Sequence, residues 1–168
     1  MEIINLIVNA IIFILPAYFA NATPVIAGGG LPIDLGKKFV DGKPIFGKNK
    51  TFRGFLFGLV VGTGVGLSES AVLSLPYSLT FGLLLSLGAL FGDLAGAFLK
   101  RRLGIPPGSL LPIVDQVDFI VGALIFSLLV SPSMLTWELA LTVLLITPPI
   151  HLLTNFVAYK LGLKSNPW

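Results

Sequence analysis

The sequence predicts an all-α, polytopic integral membrane protein of five transmembrane helices, with its N-terminus outside and its C-terminus cytoplasmic. Three observations carry that prediction. Hydrophobic residues fill 55% of the 168 positions and charged residues only 11%, whereas a soluble domain carries about 25% charged residues. A bilayer is the solvent that tolerates so much apolar surface, and the mean hydropathy of +0.95 agrees. Five segments also approach the roughly 20 apolar residues needed to span a membrane. Finally, all the lysines and arginines fall on one side when those five segments are threaded in order.

The first segment, residues 3–22, contains Pro16, a candidate kink. Met1-Glu2-Ile3-Ile4 lacks the basic start of a signal peptide, and no small-residue cleavage pattern follows, so this helix is expected to be retained. A polar loop rich in Gly and Pro, about residues 23–53, leads to a second helix over 54–68 and a third over 77–99. A second loop, about 100–113, precedes a fourth helix over 114–130. The fifth covers 135–161 and is expected to break at Pro148-Pro149. Helices two and four are short and are expected to borrow turns from their flanks. The whole of 1–168 reads as a single domain. With no cysteine there are no disulfides, thiolate ligands or thiol nucleophiles.

Charge sets the orientation. Lys37, Lys38, Lys43, Lys48, Lys50 and Arg53 lie in the first loop, Lys100, Arg101 and Arg102 in the next basic loop, and Lys160 and Lys164 close the chain. Those are all eleven cations, and the opposite side carries only Glu2, Glu69 and Glu138. The positive-inside bias therefore makes the basic side cytoplasmic. Gly54, Gly58, Gly62 and Gly66, and then Gly88, Gly92 and Gly96, recur every four residues. Such columns let helices approach closely, either within one subunit or across a homodimer. The second column ends beside Asp93, so close packing is expected to fix that carboxylate.

Residues 92–118 hold the costly part of the sequence, three carboxylates and three cations within 27 residues. Asp93 sits inside the third helix, where a carboxylate costs about 2.5–3.5 kcal/mol on insertion scales and faces the bundle interior or water. Lys100 lies two helical turns further on and nearly on the same face, so an internal ion pair with Asp93 is the plainer reading. Asp115 and Asp118, three apart, share a face of the fourth helix. They suit Mg²⁺, which takes one or two carboxylates plus substrate phosphates; the alternative is service to the helix dipole. Lys100-Arg101-Arg102 alone would be a cytoplasmic anchor. The run Phe46-Gly47-Lys48-Asn49-Lys50-Thr51-Phe52-Arg53 adds cations, and Thr51 is placed to cap the second helix. Its glycine spacing is not that of a Walker A loop. His151 and Asn155, four apart, face one side of the fifth helix, where a lone membrane histidine is more often a structural hydrogen-bonder. No Ser/His/Asp arrangement or zinc spacing is present, and nothing points to nucleic acid.

These motifs resemble those of the CTP-dependent phosphatidate cytidylyltransferases. Gly92-Asp93, Lys100-Arg101, Gly104, Pro107-Gly108 and Asp115-x-x-Asp118 follow the family order. The full chain, including Gly47–Gly54, is most similar to the short archaeal branch. Departures are Ser109-Leu110-Leu111 where the wider family has His-Gly-Gly, and Gln116 where it has Arg. The resemblance implies transfer of CMP from CTP to a glycerol phosphate bearing two geranylgeranyl ethers, giving CDP-archaeol and pyrophosphate at the cytoplasmic membrane face. It implies Mg²⁺ on Asp115 and Asp118 with support from Asp93, phosphate contacts from Lys100 and Arg101, and CTP binding by Asn49, Lys50, Thr51 and Arg53. Two other classes compete. One is a small ion or metabolite carrier using Asp93 as its intramembrane acid, which should show polar groups toward both faces. The other is a transferase that consumes CDP-lipids, whose expected Asp-Gly-x-x-Ala-Arg helix is absent.

Overall fold

The computed structural model describes residues 2–73, 79–130 and 132–168. Its helices are α1 (Glu2–Ala27), α2 (Phe52–Leu73), α3 (Leu79–Arg102), α4 (Val114–Ser127) and α5 (Trp137–Lys160), with a 3₁₀ turn at Pro132–Met134. Tyr77, the expected start of the third helix, lies outside the described residues. α1, α2, α3 and α5 are long and apolar enough to cross a membrane, so the chain is a multi-pass membrane protein. α4 has 14 residues, about 21 Å at 1.5 Å per residue, which by itself falls short of a hydrocarbon core of about 30 Å.

Several helix ends differ from expectation: α3 runs on to Arg102, and α4 stops at Ser127, short of the expected 130, without borrowing turns from its flanks. α1 continues beyond Ala22 because Thr23 donates its hydroxyl to the Phe19 carbonyl at 2.6 Å, turning a polar residue back into its own helix. α2, expected over 54–68, starts two residues earlier and ends five residues later, at Phe52–Leu73. α5 runs unbroken through Pro148-Pro149. There Thr147 donates to the Val143 carbonyl at 2.6 Å and bonds the Tyr18 hydroxyl at 2.9 Å, tying α5 to α1. Nearby hydroxyls and neighbouring helices are what make proline tolerable in such a segment.

The glycine columns are used within the chain. On α2, a Cβ at Gly58 would lie 2.6 Å from the Ala20 carbonyl of α1, and one at Gly66 would lie 2.7 Å from Gly82 of α3. On α3, Gly88 and Gly92 meet α4 backbone at Gly122 and Asp118. Around these seams Phe13, Ile14, Phe81, Leu85, Phe119, Ile120 and Val143 are buried, with the Phe13 and Phe81 rings edge-on at 5.3 Å. Many large apolar side chains remain outward on α1, α2 and α5, as helices facing lipid require.

The first loop is folded, not slack. Asp34 is buried and accepts from the amides of Gly36 (3.0 Å), Phe46 (3.0 Å) and Gly47 (2.8 Å). Arg102 locks the loop to the end of α3. Its guanidinium lies over the rings of Phe39 and Phe98 at 4.8 and 4.6 Å, pairs with Asp41 at 2.9 Å and donates to the Pro44 carbonyl. Lys43 returns a bond to the Arg102 carbonyl at 2.8 Å.

Candidate active site

The first loop, the end of α3, the start of α4 and the inner faces of α1 and α5 enclose a cavity of about 940 Å³, large enough for a sizeable ligand. Asp93, Lys100, Arg101, Asp115 and Asp118 all line it, as do Asn49, Lys50 and Thr51. Arg53 is not among its walls, and its guanidinium lies over the Phe57 ring at 6.0 Å.

Asp34 and Gly47 shape the loop side of this cavity. Gly47 has φ +98°, and a side chain there would crowd Pro107 at 3.1 Å and Arg101 at 3.7 Å, so only glycine leaves that corner open. Burial pushes the Asp34 carboxyl upward, but the amide bonds from Gly47, Phe46 and Gly36 outweigh it and hold it below the ordinary carboxylate range. Beyond the turn, Lys50 donates to both Asp93 oxygens at 2.6 and 2.5 Å. Thr51 caps α2 as expected, accepting from Gly54 N at 3.1 Å.

The ion pairing within helix three that the sequence suggested is replaced by two cross-element pairs. Lys50 takes Asp93, and Lys100 reaches Asp115 at 2.9 and 2.7 Å. Asp115 also accepts from Leu111 N at 2.9 Å. Gln116, at the position of the wider family's arginine, accepts from Ile113 N at 3.2 Å and closes the start of α4. Asp118 is placed by the glycine column: a Cβ on Gly96 would collide with its Oδ2. The column thus seats Asp118 against α3, rather than fixing Asp93. Asp118 Oδ1 accepts from Phe119 N at 2.6 Å, and no cation among the described residues pairs with this carboxylate.

Arg101 is 4% exposed, and its Nε and Nη1 have no partner. A buried guanidinium with unmet donors is costly, and here it borders the cavity. An anion entering the cavity would satisfy it.

Little in the sequence announces the path of the C-terminal tail. α5 ends in a Schellman-type turn at Gly162 (φ +73°), with Gly162 N bonded to Tyr159 O at 3.0 Å and Leu163 N to Ala158 O at 2.9 Å. The chain then doubles back over the cavity. Lys164 donates to Asn155 Oδ1 at 3.0 Å and to the Trp168 main-chain oxygen at 2.5 Å. Asn166 and Trp168 each donate to Gly108 O at 3.3 Å. Burial pushes the Lys164 ammonium below the usual lysine range, Lys50 and Lys100 add to that, and Asp115 and Asp93 oppose it. His151 and Asn155 face the same cavity, with their side chains 3.1 Å apart.

For a metal, the described residues hold no cluster of three carboxylate or imidazole ligands that would cage an ion alone. The donor set nevertheless fits Mg²⁺, which keeps its waters and takes few carboxylates plus substrate phosphates. Asp118 offers a carboxylate free of any cation, and Asp115 and Asp93 line the same space. The arrangement is suited to a polyanion carrying a hard divalent cation.

The family CarS-like: CDP-archaeol synthase matches residues 3–168. The CDP-archaeol synthase of Methanococcus aeolicus is 48% identical over 180 residues, covering 100% of both chains. That of Pyrococcus furiosus is 50% identical over 168 residues, covering 96% of this chain and 98% of its own. A solved structure, described as structural insight into an intramembrane enzyme for archaeal membrane lipids biosynthesis, superimposes with a TM-score of 0.83 at 40% identity. It covers 89% of this chain and 94% of its own.

Proposed function

This chain belongs to the CDP-archaeol synthase family, and from that membership we propose that it transfers CMP from CTP to an unsaturated archaetidic acid, a glycerol phosphate bearing two geranylgeranyl ethers. The products are CDP-archaeol and pyrophosphate. The observation that carries the reading is Arg101, a buried guanidinium with unmet donors that shares one cavity with three carboxylates and four lysines.

A phosphate oxygen of the lipid attacks the α-phosphorus of CTP. The new P–O bond forms as the bond to the bridging oxygen of the β-phosphate breaks, and the electron pair leaves with pyrophosphate. A phosphate monoester is already an anionic nucleophile near neutral pH, so no protein base is required. The residues work by position and charge. Arg101 answers the triphosphate, and Lys50 and Lys100 turn from their aspartates toward phosphate oxygens as the nucleotide arrives. Asp115, Asp118 and Asp93 would hold Mg²⁺, which would supply charge neutralisation at the phosphates. Asn49 and Lys48 complete the loop side. Thr51 serves as the helix cap, and Arg53 anchors the membrane surface.

We further assign α4 as a fifth crossing that draws on its flanking turns, with the N-terminus outside and the cavity on the cytoplasmic face of the cell membrane. Support comes from the tail: Asn166 and Trp168 touch Gly108, so the end of α5 and the α3–α4 loop share one end of the bundle. The glycine columns that offered a dimer contact pack against α1, α3 and α4 of the same chain. The carrier alternative finds no support: Asp93 is bound by a loop lysine, at the end of the bundle where the other charges gather.

The test is to incubate purified protein, Mg²⁺ and lipid phosphate with each of the four nucleoside triphosphates and to score pyrophosphate release. CTP alone should support turnover, and Asp115→Asn and Asp118→Asn should each lower it by about 100-fold or more while the protein stays folded. Equal release from all four nucleotides, or wild-type rates in both variants, would overturn the assignment.

A further inference from the structure

The cavity lining is of two kinds. Lys48, Lys50, Lys100 and Arg101 come from the first loop and the end of α3. On the other side, α1 contributes Ile11, Leu15 and Phe19, and α5 contributes Ile150, giving an apolar wall that runs into the membrane-facing part of the bundle. His151 follows Ile150 on α5, Asn155 contacts His151 one turn on, and Lys164 bonds Asn155, so these polar groups adjoin that apolar wall.

Resting on the reaction proposed above, we propose that Lys164, held by Asn155 and backed by His151, is the binding group for the phosphate of the lipid acceptor, separate from the cations that hold the triphosphate. The chemistry requires two anionic groups to meet. In a displacement at phosphorus the attacking and leaving oxygens lie roughly in line, so the monoester and the departing pyrophosphate need cations on opposite sides of the α-phosphorus. A lipid with two isoprenoid chains keeps those chains on apolar surface, and its phosphate therefore arrives where that surface ends. The only cation at that junction among the described residues is Lys164, supplied by the returning tail.

Its present bonds suit the role. Asp93 and Asp115 are each taken by another lysine, and Lys164 pairs with no Asp or Glu side chain among the described residues. Its anchors are the Asn155 carboxamide and the Trp168 main-chain oxygen. An ammonium donates three hydrogen bonds, which leaves one for an incoming phosphate without loss of either anchor. The 3.1 Å contact between His151 and Asn155 holds the carboxamide in place.

The experiment compares wild type with Lys164→Met, Lys164→Arg and Asn155→Ala, reading KM for lipid phosphate and KM for CTP separately, with calorimetric CTP binding in the absence of lipid. Lys164→Met should raise KM for the lipid by about tenfold or more, the size expected for a lost charged hydrogen bond, and leave CTP binding within about twofold of wild type by the same measure. Lys164→Arg should restore most of the lipid affinity, and Asn155→Ala should raise KM for the lipid by a smaller factor. An unchanged lipid KM, or a CTP KM that rises in step with it, would overturn the assignment. The CTP titration also reports whether each variant is folded. Wild-type protein that releases no pyrophosphate from CTP would bring down the underlying reaction as well, a result distinct from any of these.

Discussion

Arg101 and Arg102 are adjacent in sequence and opposite in role. One helical step of about 100° turns Arg102 onto the Phe39 and Phe98 rings, where Asp41 and the Pro44 carbonyl meet it. The same step turns Arg101 into the bundle with its donors unmet. Composition shows a basic triplet and no more, since the division of labour depends on what the first loop does 60 residues away. Arg101→Met should therefore separate stability from activity. Removing an uncompensated buried charge should leave the thermal midpoint of the empty protein unchanged or raised, while turnover falls by about 100-fold or more. A loss of midpoint in proportion to activity would make Arg101 a scaffold residue. Asp34 is a contrasting case, which nothing in the sequence singled out because its partners are backbone amides. Its carboxyl is held below the ordinary range, so its contribution to stability is fully present above the unfolded value of about 3.9. That contribution is lost as pH falls below this point through the lower folded value. Asp34→Asn should lower stability by about 1.5–3 kcal/mol, the scale of one charged hydrogen bond, at neutral pH. The gap to wild type should narrow below pH 4 in an acid unfolding series; a gap independent of pH would show that Asp34 is not held as the anion.

Among the elements, α3 and α4 explain why glycine and aspartate occur together. The four-residue glycine spacing was legible from sequence, but its partner was not, because a column of glycines states closeness without saying to what. Asp118 now supplies the answer: its carbonyl sits against Gly92 and its carboxylate against Gly96. A methyl group at Gly96 must push that carboxylate away, whereas Gly64 on α2 has nothing within 4 Å of its would-be Cβ. Gly96→Ala should lose most activity, and Gly64→Ala should keep it while gaining up to about 1 kcal/mol of helix stability. Comparable activity in the two variants would dissociate the packing of α3 from the placement of Asp118. The proline pair of α5 taught the reverse lesson. Local rules called for a break, and the bundle overrode them through the Thr147 hydroxyl and the Tyr18 contact. The returning tail was least legible of all, since its bonds to Gly108 span 58 and 60 residues and leave no local periodicity.

For the molecule as a whole, the cations explain how a bundle of apolar helices acquires a direction. All eleven lie in the first loop, at the start of α2, at the end of α3 or at the C-terminal end; Lys50–Asp93 and Arg102–Asp41 tie the first loop to α3, Lys100–Asp115 ties α3 to α4, and the tail bonds Gly108. Chain segments that share ion pairs and hydrogen bonds at one end of the bundle must share one side of the membrane. α1 is long enough to cross, which sends Glu2 to the other side from the first loop. The short α4 is the one element whose crossing its length does not dictate, yet its start lies beside Gly108 and the tail, while its end leads into α5, which returns to that tail. In the arrangement proposed above, α4 and its flanking turns carry the chain across. The absence of cysteine makes the arrangement testable without a prior background substitution. Glu2→Cys and Lys37→Cys, each in intact cells treated with a membrane-impermeant maleimide, should differ: the first labelled, the second protected until the cells are opened. Ser165→Cys should behave like Lys37→Cys, because the tail and the first loop border the same cavity. Labelling of Ser165→Cys from outside, with Lys37→Cys protected, would place the tail on the far face and dismantle the five-crossing arrangement together with the shared cavity.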